Sequence, residues 1–193
     1  MNKAVFLDRD GVINPLVYNL QTAEYESPHE PGEFSVYPYA AKSLRRLSEA
    51  GYLLFLVSNQ PSFAKGKTSL DNILAIQAQL AEYLQEQQVQ INRYYYCHHH
   101  PAGIVPGYSG PCPCRKPSPY FLQQAAAEYR LDLSQSWLIG DQDTDVQCGQ
   151  AAGVRTIQLL NPHSSAKRGN SRPEYQAKNL AAAVELLLTG REG

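Results

Sequence analysis

The sequence predicts an α/β fold, a three-layer sandwich with a central parallel sheet and helices on both faces. Three observations point there. Short apolar runs alternate with helix-length segments along the whole chain, the pattern of repeated strand–helix units. The runs are apolar almost without interruption, as strands covered on both faces are. Finally, Asp8, Ser58 and Asp141 each stand directly after such a run. In sheets of this type ligands bind outside the carboxyl ends of the strands.

The elements follow in order. Ala4–Leu7 is a short apolar strand that ends at Asp8. A loop covers Asn14 to Pro38. Ala40–Ala50 carries Leu44 and Leu47 at helical spacing, and Gly51 caps it. Tyr52–Val57 is the second strand and runs into Ser58-Asn59-Gln60. Ser69–Gln87 is a long helix with Ile73, Ile76, Leu80 and Leu84 on one face. Asn92–Cys97 is a tyrosine-rich third strand, followed by a Pro/Gly-rich loop from His98 to Pro117. Pro119–Tyr129 and Thr144–Ala152 read as helices on either side of the strand Trp137–Ile139. Arg155–Leu160 is the next strand, Asn161–Pro173 a polar loop, and Leu180–Leu188 the last helix. The 193 residues show no repeat and no internal boundary, so a single domain spanning residues 1–193 is expected.

Composition narrows the function. Charged residues make up 18% of the chain and its net charge is -1, which favours neither nucleic acid nor an anionic membrane as partner. No stretch is long and apolar enough to span a bilayer, and the apolar run before Asp8 is too short for a signal peptide. A cytoplasmic monomer acting on a small molecule is expected.

The chemistry begins at Asp8-Arg9-Asp10-Gly11. A carboxylate can attack phosphorus and become an aspartyl phosphate. A second carboxylate two residues on can protonate the leaving oxygen and then activate water. Two close carboxylates also attract a hard cation such as magnesium, which binds through few carboxylates plus phosphate and water. Ser58 and Asn59 can donate to a phosphoryl oxygen, and Lys116 can supply positive charge to it. Asp141, after a later strand, can complete the cation site, with Asp143 and Asp145 close behind.

The ordered set Asp8-x-Asp10-Gly11, Ser58-Asn59, Lys116 and Gly140-Asp141-x-x-x-Asp145 resembles the four motifs of the haloacid dehalogenase (HAD) superfamily. More narrowly, Leu7-Asp8-Arg9-Asp10-Gly11-Val12-Ile13-Asn14, Ser58-Asn59-Gln60, Tyr95-Tyr96-Cys97-x-His99-His100-Pro101 and Cys112-x-Cys114-Arg115-Lys116-Pro117 are similar to the D,D-heptose 1,7-bisphosphate phosphatase and histidinol-phosphatase group. The resemblance implies a Rossmann-like fold, Mg2+, a structural Zn2+ and a phosphorylated sugar or amino alcohol as substrate. It implies Asp8 as nucleophile and magnesium ligand. Asp10 would be general acid/base, ligating the metal through its backbone carbonyl, and Asp141 the remaining ligand. Ser58, Asn59, Gln60, Arg115 and Lys116 would surround phosphate and substrate.

Cys97, His99, Cys112 and Cys114 make a Cys3His set that can close a tetrahedral zinc with no open position. Such a metal would staple residues 97–117 and so place Arg115 and Lys116. The family spacing selects His99 over His98 and His100, which are left facing solvent or substrate, and Cys148 reads as a small buried residue. Neither motif interval holds a cap domain, so a capless, open site is expected. Its specificity would come from Pro15–Tyr37, Pro61–Lys67 and His98–Cys114. Lys65-Gly66-Lys67 is a basic turn that can meet a second phosphate.

Hydrolysis of the 7-phosphate of D-glycero-D-manno-heptose 1,7-bisphosphate is the leading expectation, with histidinol phosphate the alternative substrate. A nucleic-acid end-processing phosphatase would need a basic groove, and Lys167-Arg168 with Arg172 is too small a basic run for one. A non-catalytic binding module would need a broken site, whereas Asp8, Asp10 and Asp141 are all present.

Overall fold

A computed structural model describes residues 1–190. Six parallel strands form the central sheet, in the order β5-β4-β1-β6-β7-β8. They are β1 (Lys3–Leu7), β4 (Tyr52–Asn59), β5 (Arg93–Cys97), β6 (Trp137–Gly140), β7 (Arg155–Leu159) and β8 (Tyr175–Ala177). Two short strands, β2 (Val17–Asn19) and β3 (Glu24–Glu26), pair antiparallel as a separate hairpin. The helices are α1 (Ala40–Glu49), α2 (Leu70–Glu86), α3 (Tyr120–Tyr129), α4 (Asp143–Ala152) and α5 (Leu180–Thr189).

Strand alternation divides the core. Val5 and Leu7 of β1 point into a cluster with Leu44, Leu47, Leu80, Leu84, Ala183 and Val184, which covers one face with α1, α2 and α5. Ala4 and Phe6 point the other way, against Phe55, Leu122, Ala125 and Cys148, where α3 and α4 lie. Burial on both faces explains why these strands read as unbroken apolar runs.

From β1 the chain builds outward through β4 and β5 on one side, then through β6, β7 and β8 on the other. The order therefore reverses around β1, which places a crevice at its carboxyl end. Asp8 follows β1, Ser58 and Asn59 end β4, and Asp141 follows β6, so all three meet at this crevice.

Four features differ from the sequence expectations. Ser58 and Asn59 belong to the strand itself and pair with Tyr96 and Cys97, which sets the cysteine loop beside them. The loop between Asn14 and Pro38 contains the β2–β3 hairpin. Its turn puts Ala23 at φ 55 without glycine, and strands of three residues leave no readable period. The same brevity hides β8. Helices α3 and α4 start at Tyr120 and Asp143, one residue from where periodicity places them. Among the described residues, no helix is long and apolar enough to cross a membrane.

Candidate active site

Asp8, Asp10, Ser58, Lys116, Asp141 and Asp145 are all buried at the carboxyl ends of β1, β4 and β6. Backbone shape brings them together. Gly11 turns at φ 81, and a Cβ there would lie 2.1 Å from Asp141 Oδ2, so only glycine lets the Asp8–Asp10 turn approach Asp141.

Lys116 occupies the centre. Its Nζ lies 3.0 Å from Asp8 Oδ1 and 2.6 Å from Asp145 Oδ1, and donates to the Val57 carbonyl at 2.8 Å. Burial opposes its charge, but the carboxylates of Asp145 and Asp8 outweigh burial and hold its pKa above the ordinary lysine value. Asn59 grips the Lys116 backbone from both sides: its Oδ1 accepts from the amide N at 3.0 Å and its Nδ2 donates to the carbonyl at 3.1 Å. Asn59 thus places the lysine as well as lining the cleft.

The carboxylates differ in environment. Burial raises Asp8 and, although Lys116 pulls the other way, Asp145 and Asp10 help push its pKa up to about 6. Asp141 lies well above the usual carboxylate range, through burial and then the charges of Asp8 and Asp145. Burial acts upward on Asp10 too, but the Arg9 guanidinium, with hydrogen bonds from Asn14 and Gln60, holds its pKa below the ordinary value.

Asp8, Asp141 and Asp145 each bring a carboxyl oxygen within 4.8 Å of the others. Lys116 already pairs with Asp145 and Asp8. Both oxygens of Asp141 are buried without a hydrogen-bond partner. A buried carboxylate left so is costly unless a cation meets it. The donor set therefore fits a hard divalent cation between Asp8 and Asp141.

Asp10, Asn59, Arg115, Lys116, Gln142, Lys65 and Lys167 line a cleft of about 180 Å³ that opens on Asp8. Gln60 lies behind it, 2% exposed, and its Nε2 donates to Asp10 Oδ2 at 2.6 Å and to Ser58 Oγ at 2.9 Å. A larger cavity, about 320 Å³, sits under the hairpin between Tyr18, Glu26, His29 and Lys67, away from the nucleophile.

Ligand atoms of Cys97, His99, Cys112 and Cys114 also lie within 4.8 Å of one another. The sulfur–sulfur separations are 3.2, 3.5 and 3.6 Å, far beyond a disulfide bond and close to the edge of roughly 3.8 Å in a tetrahedron of zinc–thiolate bonds. This cluster can hold a metal. His98 is half-buried against Tyr96, with Nδ1 buried and unpartnered. His100 Nδ1 accepts from the Ala102 amide. Cys148 is fully buried in the apolar core and donates to the Ser118 carbonyl, as a small core residue.

Sequence reasoning did not assign three residues that the structure places here. Asp145 was legible only through its spacing from Asp141. Arg9 is fully buried and forks onto Asp10, a role that an arginine in a turn does not announce. Ser27 donates to Asp10 Oδ2 at 3.0 Å from the hairpin.

Comparison with known proteins is consistent with this geometry. The HAD-hydrolase-like family matches residues 113–183. The chain is 38% identical over 160 residues to a D-glycero-beta-D-manno-heptose-1,7-bisphosphate 7-phosphatase of Haemophilus influenzae, covering 83% of this chain and 82% of that one. It is 34% identical over 197 residues to the D-glycero-D-manno-heptose-1,7-bisphosphate 7-phosphatase of Chlorobaculum tepidum, covering 98% and 96% of the two chains. Among solved structures, the D,D-heptose 1,7-bisphosphate phosphatase of B. bronchiseptica, complexed with magnesium and phosphate, superposes with a TM-score of 0.78 at 26% identity. That match covers 98% of this chain and 99% of that one.

Proposed function

Because the chain belongs to the HAD-like phosphatases, and within them to the family of D-glycero-D-manno-heptose-1,7-bisphosphate 7-phosphatases, we propose that it removes the 7-phosphate of such a heptose bisphosphate by way of an aspartyl phosphate on Asp8. One observation carries the bisphosphate reading. Lys65, Arg115 and Lys167 converge on the cleft, and none of them has a carboxylate at ion-pair distance among the described residues. The pKa of Lys65 is lowered by burial first, and then by the neighbouring charges of Lys67 and Arg115, which with Lys167 outweigh the upward pull of Glu26. Three cations with no ion pair of their own among the described residues suit a substrate with a second negative group beyond the phosphate that reacts.

In this mechanism Asp8 attacks phosphorus while Lys116 and Ser58 hold the phosphoryl oxygens. The bond from phosphorus to the sugar oxygen breaks, and that oxygen takes its electron pair and a proton from Asp10. Against the upward effect of burial, the Arg9 guanidinium and the hydrogen bonds from Asn14 and Gln60 keep Asp10 ionised in the empty site, and an incoming phosphate dianion favours its protonated form through like-charge repulsion. In the second step the Asp10 carboxylate takes a proton from water as the water oxygen attacks phosphorus. The bond to Asp8 breaks, its electrons return to the carboxylate, and inorganic phosphate leaves.

Magnesium suits the cation site, where Asp8 and Asp141, with the Asp10 carbonyl that the family resemblance implies, would hold it, and the B. bronchiseptica relative was crystallised with it. Bound there, it would supply charge neutralisation that lets a phosphate approach two carboxylates. Zinc suits the Cys3His cluster in a structural role.

Assayed with magnesium, the purified protein is expected to convert the 1,7-bisphosphate to the 1-phosphate. The kcat/KM should exceed that for the heptose 7-monophosphate by about tenfold, the weight of one charge-assisted contact. Histidinol phosphate should be poorer still, since cations line the rim that would meet its amine. Equal or faster turnover of histidinol phosphate would overturn this reading.

A further inference from the structure

We infer that Ser27 is a positioning residue for proton transfer, fixing the Asp10 carboxylate so that Oδ2 faces the leaving oxygen of the substrate. The inference rests on the proposed roles of Asp8 and Asp10.

Four side chains donate to Asp10. Arg9 and Asn14 serve Oδ1, at 2.9 Å from Nη2 and 2.9 Å from Nδ2. Gln60, Ser27 and Arg9 serve Oδ2, at 2.6, 3.0 and 3.1 Å. Among these donors only Ser27 also lines the catalytic cleft, together with Asp10 itself. Arg9 and Gln60 hold the carboxylate from behind, and Asn14 is fully buried. A leaving oxygen that comes to Oδ2 from the cleft therefore meets the Ser27 hydroxyl beside it. A hydroxyl can turn its proton away while Oδ2 is protonated and turn it back to Oδ2 as that proton leaves, which a guanidinium cannot do.

The hairpin is built to hold Ser27 in place. Three consecutive residues tie it to three different parts of the molecule. Tyr25 stacks on His163, in the segment after β7, with ring centroids 3.7 Å apart. Glu26 pairs with Lys67, in the turn after β4, at 2.5 Å. Ser27 then reaches Asp10, after β1. The arm crosses the site as a strap with three anchors, and Ser27 also lines the cavity under the hairpin. Hairpin position and acid/base geometry are in this way one mechanical unit.

The test compares two esters by kcat/KM, which reports the first chemical step. The alkoxide of a sugar phosphate needs a proton in order to leave; p-nitrophenolate does not. Ser27→Ala is expected to lower kcat/KM on the heptose bisphosphate about tenfold, a fraction of what general acid catalysis supplies. On p-nitrophenyl phosphate the change should stay within about twofold, and Ser27→Thr, which keeps the hydroxyl, should restore the sugar-phosphate rate. An equal fall on both esters would mark a merely structural role and overturn the inference. So would unchanged rates, or a threonine variant that behaves like alanine. Should wild type reject the heptose bisphosphate, the substrate proposal fails, and the same comparison runs on any alkyl phosphate that wild type hydrolyses.

Discussion

Asp8→Asn is expected to leave a folded protein whose phosphatase turnover is lower by about four orders of magnitude or more. The amide is nearly the shape of the carboxylate, so its oxygen can still accept the Arg9 amide proton that Asp8 Oδ1 accepts at 2.8 Å. It cannot attack phosphorus as an anion. The variant also separates chemistry from stability. Asp8 has a raised folded-state pKa of about 6, so the folded protein binds protons more tightly there than the unfolded chain does. Its ionised form therefore burdens the metal-free fold above about pH 6, and the burden fades as pH falls through that value. Asparagine removes it. At neutral pH without metal, the Tm of Asp8→Asn should lie at or above that of wild type, measured beside a turnover assay. Substantial residual turnover in a well-folded variant would remove Asp8 from the role of nucleophile.

Cys114→Ser is expected to lower zinc content from about one per chain to near zero, and kcat by about tenfold to a hundredfold, the usual cost of losing a group that orients a reactive one. The path is short. Cys114 stands two residues before Lys116, and its Sγ lies 3.2 Å from that of Cys97. Cys97 is in register with Asn59 across β4 and β5, and Asn59 holds the Lys116 backbone. The loop is thus pinned at Cys97, Cys114 and Asn59, and Lys116 Nζ enters the carboxylate cluster from that frame. Without the metal, the frame loses two of its three fixed points. Metal analysis and kcat on the same preparation check this. A zinc-free variant with wild-type kcat would show that the cluster does not place the lysine.

The sheet was legible because strands buried on both faces declare themselves as apolar runs, and because Asp8, Ser58 and Asp141 each follow one. The cysteine–histidine set was legible for a different reason: ligand chemistry restricts residue type and spacing at once. What escaped was hidden in two ways, by distance along the chain and by residue type. Ser27 lies 17 residues from Asp10 and meets it only because a hairpin of two three-residue strands folds over the site. Nothing in Glu24-Tyr25-Glu26 has a readable period, and the turn before it uses Ala23 where a glycine would have signalled it. Arg9 was hidden by its type. A buried arginine is rare unless paired, and its partner is the adjacent residue, so no spacing reveals the pair. Gln60 looked like a substrate contact from its place in the motif. The fold turns it inward, where it ties Ser58 to Asp10.

The proposal that a carboxylate of this chain takes the phosphoryl group before water does is tested most directly by the stereochemistry at phosphorus. A substrate whose transferred group is made chiral with sulfur and oxygen isotopes would be hydrolysed in isotopically distinct water, and the configuration of the released thiophosphate read. Two successive in-line attacks, by Asp8 and then by water, predict retention of configuration. Inversion would mean that water attacks the ester in one step, and would contradict the assignment of Asp8.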